Sequence, residues 1–241
     1  MVSIIGIIGT FPIVVVFGIC FVLMLRSYIK NPNRAKIFFM AWVVFTLLTY
    51  LTWGIRVLFI PQFEPNTKVL YPYWALAYAF GGSAMVVLSI AAIEMSKLRE
   101  LSYKKYLITI ILITGISTFF ILLIGFEVAL IIFMDVSDLT ITNPFVYIYF
   151  TILIILYLFF PNAIFINFLI RSPEKDSFTY KRIKILELGI LLFSIGTALD
   201  GMRFPSNIGI LIARIILLMG GLIIVRGLLM KPAEKQENNH Y

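Results

Sequence analysis

The chain has 241 residues, of which 61% are hydrophobic and only 13% charged, with mean hydropathy +1.01 and a net charge of +8. A soluble domain carries about 25% charged residues, so this composition excludes a water-facing globular fold. At roughly 20 apolar residues per membrane crossing, several crossings and short loops use the whole length and leave no room for a separate soluble domain.

Seven apolar stretches follow one another along the chain. The first, about 2–25, exceeds twenty residues and has no basic residue before it, so it reads as a span and not as a cleaved signal peptide. It holds Pro12 and Cys20; Cys20 is the only cysteine, which rules out an intrachain disulfide. The second, about 37–60, stops before Pro61. The third, about 70–95, is rich in small residues (among them Ala77, Ala79, Gly81, Gly82, Ser83 and Ala84), which lets neighbouring helices come close and predicts a central helix touched by several others. The fourth runs over about 106–133. The fifth, about 145–170, opens on Asn143-Pro144 as helix cap and first residue, and Pro161 is expected to kink it. The sixth and seventh, about 185–204 and 208–230, are joined by the short link Pro205-Ser206-Asn207, with Gly196, Gly201, Gly220 and Gly221 as expected contact points. Pro232 ends the last span, and 232–241 is a polar tail expected to be disordered in the cytoplasm. The predicted fold is all-α: one seven-transmembrane helix bundle over 1–231.

Charge sets the predicted orientation. Loops 26–36, 96–106 and 171–184 and the C-terminal end of the last span carry sixteen Lys and Arg side chains. The alternate loops and span ends carry four: Arg56, Lys68, Arg203 and Arg214. The positive-inside rule then places the N-terminus outside and the C-terminus inside a cell membrane. It also accounts for the net charge without nucleic acid.

Ionisable groups at bilayer depth are costly and point to function or pairing. An outer set comprises Arg56 in span two, Glu127 in span four, Asp200 and Arg203 in span six, and Arg214 in span seven. Each lies within roughly 2–10 Å of its helix's outer end at about 1.5 Å per residue, in one layer with Tyr50, Trp53, Tyr71, Tyr73, Trp74 and Tyr78. Two readings compete. The set can form a site for a small polar or anionic ligand, since guanidiniums favour carboxylate and phosphate. It can equally be structural, with arginines reaching the headgroups, the aromatics forming an interfacial belt and Asp200 pairing with Arg214. An inner set, Glu94, Glu187 and Arg226, is read either as a latch or as side chains pairing with the basic loops.

Several chemistries are excluded. All lysines lie in loops or at span ends, so no retinal Schiff base can form at mid-membrane. His240, in the tail, is the only histidine, which removes histidine-ligated zinc or haem and Ser-His catalysis. Asp200 is the only intramembrane aspartate, where an aspartyl protease needs two. No catalytic residue, metal ligand or cofactor site is assigned, and an enzyme is not expected.

The end segment reads LELGILLFSIGTALDGMRF and then NIGILIARIILLMGGLIIVRGLL. It has a Gly-rich span six closing on Asp200, a short outer link, and an arginine in the outer third of span seven. With the seven-span layout, this resembles the membrane sensor regions at the N-termini of some prokaryotic histidine kinases and related signalling proteins. No output domain follows Lys231, a departure from that pattern, so the resemblance implies a stand-alone sensor working through a cytoplasmic or membrane partner. The expected function is a receptor or sensor; a small-solute permease or proton-linked carrier using Glu127, Asp200 and Arg214, and a structural subunit of a membrane complex, are the alternatives.

Overall fold

The structure is a computed structural model that describes residues 4–60, 66–95, 104–124, 128–133, 136–201 and 207–230. Its elements, in chain order, are α1 (Ile4–Lys30), α2 (Arg34–Phe59), α3 (Thr67–Met95), α4 (Lys104–Ile124), β1 (Val128–Phe133), β2 (Val136–Ile141), α5 (Pro144–Arg171), α6 (Phe178–Gly201) and α7 (Asn207–Leu229). Among the described residues, five helices, α1, α2, α3, α5 and α7, are long and apolar enough to cross a membrane. In α4 an apolar stretch covers the described residues Leu107–Thr118. In α6 the hydropathy is interrupted by Glu187 and Asp200 and by the basic residues of its first turns.

The helices are apolar on their outer faces as well as inside. On α5, Phe145, Ile148, Ile152, Leu156 and Phe159 are exposed, and on α7 Leu211, Ile215, Met219 and Leu222 are. Such all-round apolarity belongs to helices solvated by lipid. The chain is a multi-pass membrane protein.

Helices α1, α2, α3, α5, α6 and α7 close a ring, each touching the next, while α4 packs on the outside against α3. The third helix is the hub expected from its small residues, contacting α2, α4, α5 and both strands. An aromatic cluster ties α1, α2 and α6 at the ring's centre. Phe17 and Phe193 each meet the Trp42 ring edge-on, at 5.7 and 5.6 Å between centroids, and Phe39 lies 4.9 Å away from it.

Close approach is concentrated between α6 and α7. A Cβ on Gly220 would lie 2.7 Å from Phe193 N and 2.8 Å from Gly189 O. One on Gly196 would lie 2.9 Å from Leu217 N. The two backbones therefore touch where the side chains are missing, the means by which helices associate when lipid offers no hydrophobic drive. Gly221 serves α1 instead, its missing Cβ leaving room for Val16.

The expected fourth span is corrected. It was read as a helix over about 106–133, but α4 ends at Ile124 and Val128–Phe133 is a strand, paired antiparallel with β2 from Val128↔Ile141 to Phe133↔Val136. Val128-Ala-Leu-Ile-Ile-Phe is apolar and β-branched, and a short run of that kind has no periodicity that separates a buried strand from a helix. Tertiary packing decides it. Leu139 and Ile141 are buried with Leu70, Trp74, Leu122 and Phe150 in a second apolar cluster, and Val128 and Leu130 lean on it. This hairpin marks one end of the bundle. The opposite end is basic, carrying Lys30, Arg34, Lys104, Arg171, Arg182 and Arg226.

The caps follow the chemistry of their residues. Asn143 caps α5, its side-chain oxygen accepting from the amides of Phe145 and Val146 at 3.0 and 3.3 Å, with Pro144 as first residue. Helices α1 and α5 run through Pro12 and Pro161 without ending. The span-six to span-seven link at 202–206 and the tail beyond residue 230 lie outside the described residues.

We expect Gly220→Val to lower the thermal midpoint of the detergent-purified protein by an amount equivalent to about 1–3 kcal/mol, because a backbone cannot yield to an added side chain. Gly82→Ala, where a Cβ meets nothing within 4 Å, should melt at or above the wild type. Equal losses in the two variants would refute the seam as the site of closest packing.

Candidate functional site

The site is built where α2, α6 and α7 meet in the hairpin half. Asp200 stands at the last turn of α6 and Arg214 two turns into α7, so their side chains reach each other across the seam that the glycines close. Arg214 Nε donates to Asp200 Oδ1 at 2.9 Å. Both side chains are largely removed from the surface, 13% and 21% exposed, which strengthens their attraction over that of a surface pair. The guanidinium lies 5.2 Å from the centroid of the Tyr50 ring and 5.9 Å from that of Trp53. Its aliphatic stem rests against Gly9 of α1, where a Cβ would lie 3.6 Å from Arg214 Cγ.

One turn beyond Trp53, Arg56 is 1% exposed, and its guanidinium stacks 3.9 Å from the Trp53 ring centroid. It is thus a buried cation held over an aromatic face, not a side chain extended toward headgroups. Three of the outer residues singled out from sequence, Arg56, Asp200 and Arg214, are therefore brought together around Trp53. The other two, Glu127 and Arg203, lie outside the described residues. The aromatic layer divides. Tyr50 and Trp74 are buried, Trp74 stacks 4.3 Å from Tyr78, and Tyr50, Trp53 and Tyr78 face the interior. They are core, not an interfacial belt.

Beside the pair is a cavity of about 540 Å³ bounded by α2, α3, α4, α5, α6 and α7, with Leu139 of β2 at its hairpin end. Asp200 and Arg214 are the only charged residues that line it among the described residues. Its room comes from α3: Ala77, Ala79, Gly81, Gly82 and Ser83 all line it, and the space beside Gly82 is open. Small residues on this face thus make a void as well as contacts, a possibility their composition alone does not distinguish. No feature of the sequence announced the cavity.

The inner set does not assemble. Glu94 pairs with Lys104, tying α3 to α4 at the basic end. Arg226 is exposed on α7. Glu187 is 4% exposed, and neither carboxylate oxygen has a hydrogen-bond partner among the described residues. On α6 it shares a face with Ile190, Ser194 and Thr197, so it points into the ring. Farther along that face, Asn162 Nδ2 of α5 donates to Ser194 Oγ at 2.8 Å, and Ser194 Oγ donates to Leu158 O at 3.4 Å. This link stitches α5 to α6 next to Pro161. The basic residue that does act at this end is Arg182, absent from the sequence-derived set. Its Nε and Nη2 donate to the carbonyls of Gly227 and Leu228 at 3.0 and 3.3 Å, capping the end of α7.

No three His, Cys, Asp or Glu side chains among the described residues come together to hold a metal. What the geometry can do is bind: a guanidinium and a carboxylate exposed to a mostly apolar chamber offer one polar anchoring point and a large non-polar wall.

We expect Asp200→Asn and Arg214→Gln each to lower the thermal midpoint, and the double variant to lose less than the sum by roughly 0.5–3 kcal/mol of coupling. Strict additivity in this cycle would show that the pair contributes nothing as a pair.

Comparison with protein-family models, with curated proteins and with solved structures finds no match to this chain.

Proposed function

We propose that the chain is a receptor-like, seven-transmembrane sensor that takes a ligand into the cavity between α2 and α7, with its N-terminus outside and its basic end facing the cytoplasm. One observation carries the ligand reading: a 540 Å³ cavity whose only charged lining residues, among those described, are the paired Asp200 and Arg214. That volume lies within the range of about 300–1,000 Å³ of small-molecule sites. An ion pair at such a place is a natural switch element, since a ligand that engages Arg214 competes with Asp200 and alters the contact between α6 and α7. The basic end suits a cytoplasmic partner or anionic lipid.

The orientation rests on the distribution of basic residues. A Cys introduced at Asn66 should react with an impermeant thiol reagent added outside intact cells, and one at Ser177 should not; Cys20 is buried and will stay silent. Labelling at Ser177 alone would invert the topology.

For the ligand reading, we expect a thermal-shift screen of amino acids, organic acids, phosphates and lipids to reveal one class that stabilises the protein, by about 2.7 kcal/mol at a hundred times Kd. The stabilisation should vanish in Arg214→Ala. If nothing shifts the wild type and Arg214→Ala simply melts lower, the pair is structural and the receptor reading fails.

A further inference from the structure

The walls of the cavity say more about the ligand than its charged end does. Along α3 the lining runs from Ala77 to Val87, about 15 Å at 1.5 Å per residue. Over that length hydroxyls of the lining side chains are engaged by backbone carbonyls. Thr49, Ser83, Thr118 and Thr197 donate to the carbonyls of Phe45, Ala79, Thr114 and Phe193, one turn back in their own helices, at 2.8–2.9 Å. Tyr157 donates across to Ile111 O at 2.9 Å. These hydroxyls spend their protons on backbone, and what remains toward the cavity is methyl, methylene and ring: Phe45, Met85, Val86, Leu112, Ile116 and Phe150. A hydrophilic solute filling this space would give up water and find few donors in return. A hydrocarbon chain gives up nothing.

The charged end is different. Asp200 and Arg214 lie together, flanked by Tyr50 and Trp53, so charge in the cavity is confined, among the described residues, to one place. A guanidinium in apolar surroundings is the side chain suited to an oxyanion. The side of the cavity between α4 and α5 is also lightly made. Helix α4 packs closely on α3, whereas it reaches α5 through the Tyr157 bond and through Tyr149, whose hydroxyl lies 3.3 Å from Ser117 Oγ. The outer faces of both helices are aliphatic, so this seam gives onto lipid.

We propose that the cavity binds a single-chain amphiphile with an acidic oxygen head group, carboxylate or phosphate, its head at Arg214 and its chain lying along α3 past Gly82. The proposal rests on the receptor reading of the same cavity and names the class of ligand. Free fatty acids and single-chain phospholipids share this chemistry.

Gly82 supplies the test, because it lines the cavity and a Cβ there meets nothing within 4 Å. Purified protein is titrated by thermal shift with acetate, octanoate and dodecanoate, with dodecyl phosphate and a lysophospholipid to separate the two head groups, and with a dodecylammonium salt as the cationic control. The expected result is stabilisation that grows with chain length, is absent with the cation, and is weakened at least about tenfold in Gly82→Phe, which itself melts like the wild type. Arg214→Gln should weaken all acidic chains alike. Stabilisation by acetate equal to that by dodecanoate, unchanged in Gly82→Phe, would overturn the amphiphile while leaving a ligand at the polar end. Dodecanoate binding that Gly82→Phe does not touch would also overturn it, placing the chain elsewhere. If no compound of any length or class stabilises the protein, the receptor reading falls with it.

Discussion

The seam between α6 and α7 is what the remainder of this bundle is arranged around. In lipid, helices gain nothing by hiding apolar side chains from one another, since the solvent is as apolar as they are. Contact has to come from proximity. Gly189, Gly196 and Gly220 remove the side chains that would hold the two backbones apart. At the hairpin end the seam closes on Asp200–Arg214, and at the basic end Arg182 covers the last carbonyls of α7. Phe193, on α6 beside Gly220, then presents its ring to Phe17 and Trp42, which draws α1 and α2 onto the pair. The ring of six helices grows outward from there.

The same solvent explains the placement of charge. Arg56 keeps its cation inside by lying on the Trp53 ring, and Glu94 by meeting Lys104. Glu187 is the exception, buried with no hydrogen-bond partner among the described residues. Its position on the Ser194–Thr197 face lines it up with the polar side chains that lead toward Asp200.

Much of the fold was legible in the amino-acid order. Runs of apolar residues punctuated by basic loops place the helices, although α1 and α6 extend into the basic segments, to Lys30 and from Phe178, beyond the expected bounds at about 25 and 185, and Asn143-Pro144 marks the start of α5 by its hydrogen-bonding chemistry alone. The fourth span was misjudged because Val128–Phe133 is as apolar as any helix, and only its partners Leu139 and Ile141, packed on Trp74, make it a strand. The site was legible in depth but not in direction. Sequence spacing shows that Arg56, Asp200 and Arg214 lie at one level; it does not say which way each points around its helix. That is why Arg56, Asp200 and Arg214 meet around Trp53 while Glu94, Glu187 and Arg226, also at one level, face three different environments. The cavity was hidden for a related reason: Gly82 looks the same in sequence whether it admits a neighbouring helix or an empty space.

The α6–α7 seam also bears on how the chain enters a membrane during synthesis. Helix α6 alone is a poor candidate for transfer into lipid, since it carries Glu187 within it and Asp200 in its last turn, and ionisable side chains at bilayer depth are costly. Helix α7 carries Arg214 and so brings a penalty of its own, within an otherwise strongly apolar stretch. Paired across five intervening residues, 202–206, the two charges offset one another, and the glycines let the two backbones meet directly. The pair thus enters an apolar medium as one neutral unit, at less cost than either charge alone.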